Sequence, residues 1–273
     1  MFLAIDIGNT HTVVGIFKKG TLLAGHRLTR TMQRSKSEIL THIHSVLVEV
    51  GVNKKKIEGI GISSVVPKLT HIYAVLSKKY FHQEPMIVSA KLDLGIELFY
   101  DKPDSLGADR ICSAIAGFSQ YGGPLIIIDF GTATTFDVIA SNGDYLGGVI
   151  APGIETSAIA LHKQTAKLPR LAGKELHVPD TIINTDTRSS MQAGILWGAM
   201  DAAAGMVNRI QKELHDHRSK KAVVIATGGF SKFAEEHARI IRHVEPNLVL
   251  DGIRLIHDRV RNERNKSRGI THT

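Results

Sequence analysis

One short motif occurs twice in the chain, each time directly after a run of apolar residues. The first copy spans residues 6–10 (DIGNT) and the second spans residues 129–133 (DFGTA). A second apolar run follows each copy, so each predicts a buried strand, a tight turn and a returning strand. Glycine allows the backbone to pass close to a ligand, and the N–H groups of such a turn can face an anion. The repetition predicts two similar halves that close on one nucleotide.

A single copy of this motif is equally typical of an ordinary hairpin turn of type I′ or II′ that binds nothing. The second copy and a third glycine-rich turn further along the chain favour a phosphate-binding function instead. The choice between the two interpretations therefore depends on the repetition and not on either copy alone.

The remaining pattern alternates between helical and strand periods, which predicts an α/β fold. Helices are expected behind the capping box of Ser35 and Glu38, from Pro67, from near Ser105, over 154–163 and over 188–217. Short strands are expected over 57–63, 85–88 and 222–226. The segment 165–187 has no clear period and is predicted to be an extended loop that covers a site.

Composition excludes several classes of protein. The chain has 273 residues, of which 43% are apolar and 22% charged, as in a globular protein with a core. No apolar run approaches the length of a membrane span, and the first apolar run reads as a strand and not as a signal peptide. The single Cys112 fits a reducing cytoplasm and is interpreted as a small buried apolar residue.

The net charge of +8 suggests either nucleic acid or anionic substrates as partners. Much of it lies between residues 254 and 268, which we interpret as a solvated C-terminal helix with a basic end. A mildly basic surface suits an enzyme that handles anionic substrates, so neither a nucleic acid nor a membrane is expected as a partner.

A second candidate site lies at the start of the helix expected near residue 105. Asp109 falls in the first turn, where a carboxylate is often present only because it interacts favourably with the helix dipole. However, Arg110 is adjacent, and Tyr100, Asp104 and Gly107 lie close along the chain. This crowding suggests that Arg110 pairs with a substrate carboxylate while Asp109 accepts a proton.

Several common catalytic motifs are absent from the sequence. It contains no P-loop and no Gly-x-Gly-x-x-Gly after the first strand, so neither a P-loop enzyme nor a dinucleotide-binding Rossmann fold is expected. It also has no His-Glu-x-x-His motif and no Gly-x-Ser-x-Gly nucleophile elbow. The repeated hairpin is therefore the main indication of function.

Five motifs in order resemble type III pantothenate kinase, a family of the actin/hexokinase/Hsp70-like superfamily. They span residues 6–11, 107–110, 129–137, 147–153 and 227–229. The resemblance implies an α/β fold of two ribonuclease-H-like halves, with mixed β-sheets flanked by helices and an ATP cleft between them. We expect halves at 1–115 and 116–260, a basic tail at 261–273, and a homodimer.

The implied reaction transfers the γ-phosphoryl group of ATP to the primary hydroxyl of pantothenate, the first step of coenzyme A biosynthesis. By this resemblance Asp109 is the catalytic base, and Asp129 binds a monovalent cation, K⁺ or NH₄⁺. Asp6 is expected to hold Mg²⁺, directly or through water. The residues implied to bind ATP are Asp6, Ile7, Gly8, Asn9, Thr10, His11, Thr12, Val13, Thr132, Gly228 and Gly229. The residues implied to bind pantothenate are Tyr100, Gly107, Ala108, Asp109, Arg110 and Thr187.

Two alternatives remain open on the sequence. One is another phosphotransferase or phosphatase of the superfamily, such as a sugar kinase or an exopolyphosphatase. The other is a non-catalytic accessory transcription regulator on the same fold, to which the basic C-terminal residues give slight support. A regulator has no need of the three carboxylates Asp6, Asp109 and Asp129, so the kinase is the favoured interpretation.

Overall fold

Within residues 1–29, 35–216 and 220–267, which the computed structural model describes, the chain forms ten β-strands and seven α-helices. The strands are β1 (Phe2–Ile7), β2 (His11–Lys18), β3 (Thr21–Thr29), β4 (Gly59–Ser64), β5 (Met86–Ile87), β6 (Leu125–Phe130), β7 (Ala133–Ile139), β8 (Tyr145–Pro152), β9 (Val223–Thr227) and β10 (His243–Val244). The helices are α1 (Lys36–Glu49), α2 (Pro67–Leu76), α3 (Ala108–Tyr121), α4 (Ile154–Gln164), α5 (Thr187–Asp216), α6 (Ser231–His237) and α7 (Leu248–Ser267).

The chain divides into two compact units. The first unit contains residues 1–120 together with those from 247 onward, and the second contains residues 121–246. None of the helices in the described ranges combines the length and the hydropathy of a transmembrane span.

A five-stranded mixed sheet forms the centre of the first unit, in the order β3-β2-β1-β4-β5. The central strand β1 pairs antiparallel with β2 and parallel with β4. This register places Asp6, near the end of β1, opposite Val13 on one side and opposite Ser63 on the other. The predicted strand–turn–strand hairpin at residues 6–10 is therefore confirmed.

The second unit repeats this arrangement. Its five strands run in the order β10-β9-β6-β7-β8, and the central strand β6 is antiparallel to β7 and parallel to β9. Asp129 lies opposite Thr135 and Thr227, as Asp6 lies opposite Val13 and Ser63. The predicted α/β class with two similar mixed sheets is confirmed, and the two motif copies occupy equivalent places in them.

Helices α1 and α2 cover one face of the first sheet. Ile39 and Ile43 of α1 and Tyr73 of α2 are buried against Leu3 and Ile5 of β1. Side chains two positions apart on a strand share a face, so Leu3 and Ile5 point away from the face on which Asp6 lies. Burial of these apolar side chains supplies most of the favourable free energy that holds the sheet and helices together.

Helix α7 lies against the same sheet, where glycines make close approach possible. A Cβ atom at Gly59 would lie 2.7 Å from His257 Nε2, and one at Gly15 would lie 2.8 Å from Leu250 Cδ1. Further along α7, a Cβ at Gly252 would overlap the carbonyl of Cys112 in α3. The absence of these side chains lets α7 contact both the sheet and α3.

The unit boundaries differ from the expected halves because of α7. Residues 247–260, expected in the C-terminal half, belong to the first unit because α7 packs on β1, β2 and β4. Residues 116–120 also stay with the first unit as part of α3. Of the expected basic tail, residues 261–267 continue α7, and the rest lies outside the described residues.

The second core lies on one face of the second sheet. Phe130 and Phe136 pack there with Ile154 of α4 and with the buried side of α5. Of the segment 165–187, which was expected to be an extended loop, residues 165–186 contain one short 3₁₀ turn, Gly173–Glu175, and otherwise lack helices and strands, while Thr187 begins α5. Its Leu171 is fully buried in this core, so part of the segment is anchored to its own unit.

Two helix starts can be compared closely with the sequence. The capping box of α1 is confirmed, since Ser35 Oγ accepts a hydrogen bond from Glu38 N at 3.2 Å and Ser35 N donates to Glu38 Oε2 at 2.8 Å. The helix expected near Ser105 begins later, at Ala108. A 3₁₀ turn over Pro103–Ser105 and the extended backbone of Leu106 precede it.

We expect the Ser35→Ala variant to lower the free energy of unfolding by about 1 kcal/mol, because the backbone N–H of Glu38 at the start of α1 loses its acceptor. Urea unfolding followed by circular dichroism measures this loss. Ser45→Ala in the same helix is the matched control, because Ser45 donates only to the carbonyl of His42 and alanine is the better helix former. An equal loss in both variants would contradict a stabilising role of the cap.

Candidate functional site

In the first unit, the hairpin loop after β1 is a tight turn that contains one glycine. Gly8 N donates to His11 O at 2.9 Å and closes the turn. A Cβ at Gly8 would lie 3.1 Å from the same carbonyl, so glycine keeps this turn tight. Asp6 is half-buried at the edge of the turn, and Asn9 is exposed at its tip.

The other predicted ATP-binding residues of this loop differ in how far their side chains are exposed. Ile7 is fully buried in the core and Thr12 is also buried, so these two can contribute to a ligand only through their backbone. Thr10 and Val13 are half-buried, as is His11. The phosphate-binding role of residues 6–13 stays a prediction, with the backbone of the turn as its main element.

Asp6 has a buried partner that sequence reasoning missed. Ser63, at the end of β4, is fully buried, and its hydroxyl donates to Asp6 Oδ1 at 3.0 Å. Ser63 also hydrogen-bonds the thiol of Cys112, which is itself fully buried in α3. Only the parallel register of β1 and β4 reveals this cluster, because the three residues are far apart in the sequence.

Cys112 also connects Asp6 with Asp109. Burial raises the pKa of the Cys112 thiol well above its ordinary value, and the negative charges of Asp6 and Asp109 raise it further. Both carboxylates therefore lie within electrostatic range of one buried thiol. The structure thus brings together the phosphate-loop carboxylate and the predicted base, which the sequence could only name separately.

The start of α3 holds Asp109 in place. Asp109 Oδ1 accepts a hydrogen bond from Arg110 N at 2.8 Å, and a Cβ at Gly107 would overlap that same oxygen. Burial raises the pKa of Asp109, while the Arg110 N–H bond and the Arg110 charge act in the opposite direction. Ala108 and Arg110 are buried, and Arg110 is only 8% exposed.

The other two predicted pantothenate residues lie in different units. Tyr100 is a half-buried residue of the first unit, in the segment before α3. Thr187 is the first residue of α5 in the second unit, and it is exposed. Both assignments stay predictions.

In the second unit, the loop after β6 lies against the start of α4. Thr156 Oγ1 donates to Thr132 O at 2.6 Å. A Cβ at Gly153 would overlap the carbonyls of Gly131 and Thr132. Gly153 and Thr156 were not predicted as site residues, although Gly153 ends one of the five motifs that carry the family resemblance, residues 147–153.

The glycine-rich turn after β9 meets this loop at Asp129. Gly228 has a left-handed backbone with a φ of 91°, and a Cβ there would overlap Asp129 Oδ1 and the backbone of Phe130. Gly228 O also accepts the Ser231 hydroxyl at 2.8 Å, while Gly229 is exposed. The structure therefore brings the predicted ATP residue Gly228 and the predicted cation ligand Asp129 together.

Two repeated α/β units, each with a carboxylate at the end of its central strand and a glycine-containing turn beside it, define a fold of the actin-like ATPase and sugar-kinase class. Solved structures agree on the fold. A putative Baf family transcriptional activator from Campylobacter jejuni has a TM-score of 0.56 at 19% identity, covering 95% of this chain and 99% of that one. A putative 2-dehydro-3-deoxygalactonokinase from Sinorhizobium meliloti has a TM-score of 0.57 at 11% identity, covering 95% and 97%.

The sequence comparisons identify the family within this class. The family model described as type III pantothenate kinase matches residues 2–209. A type III pantothenate kinase from Roseiflexus sp. (strain RS-1) is 42% identical over 258 residues, which cover 94% of this chain and 98% of the relative. The chain belongs to the type III pantothenate kinase family and is a kinase, as the resemblance predicted.

The raised pKa of Asp109 makes a prediction about stability. A carboxyl group with a higher pKa in the folded chain than in the unfolded chain weakens folding when it ionises, and this penalty disappears as the pH falls through the folded-state pKa. We therefore expect Asp109→Asn to raise the thermal midpoint at about pH 7, with a smaller difference in acid. Thermal unfolding as a function of pH measures the effect.

Asp186 provides a control of opposite sign. A hydrogen bond from the Ser189 backbone lowers its pKa, so its charge favours folding above the unfolded-state pKa. Asp186→Asn is therefore expected to lower the midpoint at neutral pH and to lose this effect in acid. A lower midpoint for Asp109→Asn at neutral pH would show that the buried carboxylate is not a destabilising charge.

Proposed function

We propose that this kinase transfers the γ-phosphoryl group of ATP to the primary hydroxyl of pantothenate, in the cytoplasm, as the first step of coenzyme A biosynthesis. The observation that supports this most is the pair of carboxylates, Asp6 and Asp109, around the buried Cys112 thiol. One belongs to a phosphate-binding type of turn, and the other has the raised pKa of a proton acceptor. Family membership supplies the substrate.

The backbone of each hairpin turn is a candidate for binding phosphate groups of ATP. Phosphoryl transfer depends mainly on positioning and on neutralising charge. The backbone N–H groups of residues 6–13 and of Thr132 suit these tasks, and Gly228 and Gly229 leave space for the nucleoside. Thr156 donates to Thr132 O, and Gly153 packs against the carbonyls of Gly131 and Thr132. These contacts would hold the Thr132 turn in place before the nucleotide binds.

Asp6 would hold Mg²⁺ that arrives with ATP, directly or through water. Magnesium in kinases is bound by one or two carboxylates together with substrate phosphates, and it neutralises phosphate charge. No cluster of three or more metal-binding side chains exists among the described residues. A single half-buried carboxylate with its orientation held by Ser63 fits such a shared coordination.

Asp109 would act as the general base. A primary alcohol is a poor nucleophile, and a carboxylate whose pKa lies above the ordinary range accepts its proton more readily. The Arg110 N–H group fixes one oxygen of Asp109. Tyr100, Gly107, Ala108 and Arg110 from the first unit, with Thr187, would line the pantothenate site, where a guanidinium suits the substrate carboxylate.

Asp129 would bind a monovalent cation, K⁺ or NH₄⁺. The fit rests on the glycines around its carboxylate, since a Cβ at Gly228 would overlap Oδ1 and one at Gly131 would lie 3.3 Å from it. The two glycines let the backbone approach this carboxylate closely, and backbone carbonyls together with a carboxylate are the oxygen ligands that such a cation takes. Its contribution would be a positive charge near the phosphates.

We also propose that the protein is a homodimer. Helix α5 exposes one face of small residues, formed by Gly194, Gly198, Ala202 and Gly205, and a Cβ at each glycine would meet nothing. Each glycine costs a helix about 1 kcal/mol relative to alanine. A face without side chains lets the same helix of a second copy approach closely, as a two-fold symmetric interface would require.

Neither alternative from the sequence gains support. The likeness to the putative transcriptional activator rests on 19% identity and concerns the fold alone. A regulator would also have no use for a half-buried carboxylate whose pKa is raised. Whether the protein is instead a sugar kinase on the same fold is tested below with a panel of sugars as acceptors.

The first experiment measures ADP release from ATP by the purified protein with Mg²⁺, with and without pantothenate and with and without potassium or ammonium. We expect release to require both pantothenate and the monovalent ion. Asp109→Asn is expected to lower turnover by about 100-fold or more while largely preserving ATP binding. Unchanged turnover would exclude Asp109 as the base.

The controls separate the parts of this proposal. A panel of sugars as acceptors tests the sugar-kinase alternative, and release with a sugar but not with pantothenate would overturn the substrate assignment. Undiminished release without a monovalent ion would overturn the Asp129 assignment alone. Asp186→Asn, which changes an exposed carboxyl outside the proposed catalytic set, is expected to keep wild-type turnover.

For the dimer, we expect light scattering to give twice the monomer mass for the wild type and a shift to the monomer for Gly198→Arg, because a long charged side chain would separate the two helices. Val48→Arg, at an exposed position of α1, is the matched control and should remain dimeric. A dimer that survives Gly198→Arg unchanged would place the interface elsewhere.

A further inference from the structure

We propose that Ser63 is a positioning residue for the nucleotide site, which fixes the orientation of the Asp6 carboxylate for the cation and phosphates of bound ATP. This inference rests on the proposed role of Asp6 and extends it to a residue outside every motif that identified the family. Ser63 would touch neither substrate, and it would act only through Asp6.

The contact is direct and shielded from solvent. Ser63 Oγ donates to Asp6 Oδ1 at 3.0 Å from the neighbouring parallel strand, where the backbone register holds the two residues side by side. Ser63 is fully buried, so water does not compete for this bond. A hydrogen bond to a charged acceptor is stronger than one between neutral groups, and burial strengthens it further.

The Cys112 thiol completes the arrangement. A serine hydroxyl has one proton, and Ser63 donates it to Asp6 Oδ1. Burial raises the pKa of the neighbouring Cys112 thiol, so the thiol stays neutral and Asp6 is the charged acceptor beside the Ser63 hydroxyl. The Ser63 proton is therefore directed toward Asp6, and this bond restricts the orientation of the carboxylate.

The internal repeat supports the same conclusion independently. The second unit places Thr227 beside Asp129 on the neighbouring parallel strand, at the register position that Ser63 has beside Asp6. Thr227 is also buried. Both units thus place a buried hydroxyl residue next to the carboxylate at the end of the central strand, although the loops that follow these hydroxyl residues differ in sequence.

The test compares Ser63→Ala, which removes the hydroxyl, with Ser63→Thr, which keeps it and uses the residue found at the equivalent position of the second unit. Calorimetry measures the Kd for a non-hydrolysable ATP analogue with Mg²⁺, and steady-state kinetics give KM for ATP and for pantothenate. For Ser63→Ala we expect Kd and KM for the nucleotide to rise about tenfold. KM for pantothenate should stay within about twofold, and Ser63→Thr should restore nucleotide affinity.

Ser77→Ala is the matched control. Ser77 is a buried serine of the same unit whose hydroxyl donates to the carbonyl of Tyr73 and has no part in the site. It should lose stability to a similar extent in thermal unfolding while keeping wild-type nucleotide affinity. This control separates the loss of a buried hydrogen bond from the loss of an oriented carboxylate.

Two outcomes would overturn the inference. One is wild-type nucleotide affinity in folded Ser63→Ala, and the other is an equal loss of affinity in Ser77→Ala. If Ser63→Thr does not fold, the comparison of Ser63→Ala with Ser77→Ala still tests whether Ser63 orients the Asp6 carboxylate. Calorimetry needs no acceptor, so a wild type that binds nucleotide without phosphorylating pantothenate would contradict the proposed function and leave the Ser63 inference to be decided by the measured affinities.

Discussion

In each unit, the candidate site is arranged around one carboxylate at the end of the central strand. Asp6 and Asp129 lie near the end of a central strand that has an antiparallel neighbour on one side and a parallel neighbour on the other. The antiparallel neighbour requires a tight turn directly after the carboxylate, closed by the bonds from Gly8 N to His11 O and from Gly131 N to Ala133 O. The parallel neighbour ends at the same edge and contributes a hydroxyl residue. One strand arrangement therefore places an acid, a glycine-containing turn and a second polar side chain together.

Close approach of backbones is the second requirement, and glycine meets it in each unit. In the first unit, Gly15 and Gly59 of the sheet let α7 pack on the strands, and Gly252 of α7 lets it pack against α3, the helix whose first turn contains Asp109. In the second unit, Gly153 and Gly228 let α4 and the turn after β9 lie against the loop of Asp129. A side chain at these glycines would push apart elements that hold site residues, so packing and site geometry have the same cause.

Local patterns in the sequence predicted most of the fold. Apolar runs followed by Asp-x-Gly marked both hairpins, and Ser35 with Glu38 marked the start of α1, because these signals involve neighbouring residues. The contact between Ser63 and Asp6 could not be predicted, since it depends on which strands are parallel neighbours and in which register. Residues 247–260 were expected in the C-terminal half for the same reason, because the place of α7 in the first unit depends on packing between distant segments.

The chemistry of Asp109 illustrates how such packing creates function. In solution an aspartate beside an arginine would be a weaker base than usual, and here both the Arg110 N–H bond and the Arg110 charge lower its pKa. Burial has the larger effect and raises it. Arg110 is itself only 8% exposed. The direction of the pKa shift of Asp109 is therefore set by how far the fold removes both neighbours from water, a balance that only the folded chain establishes.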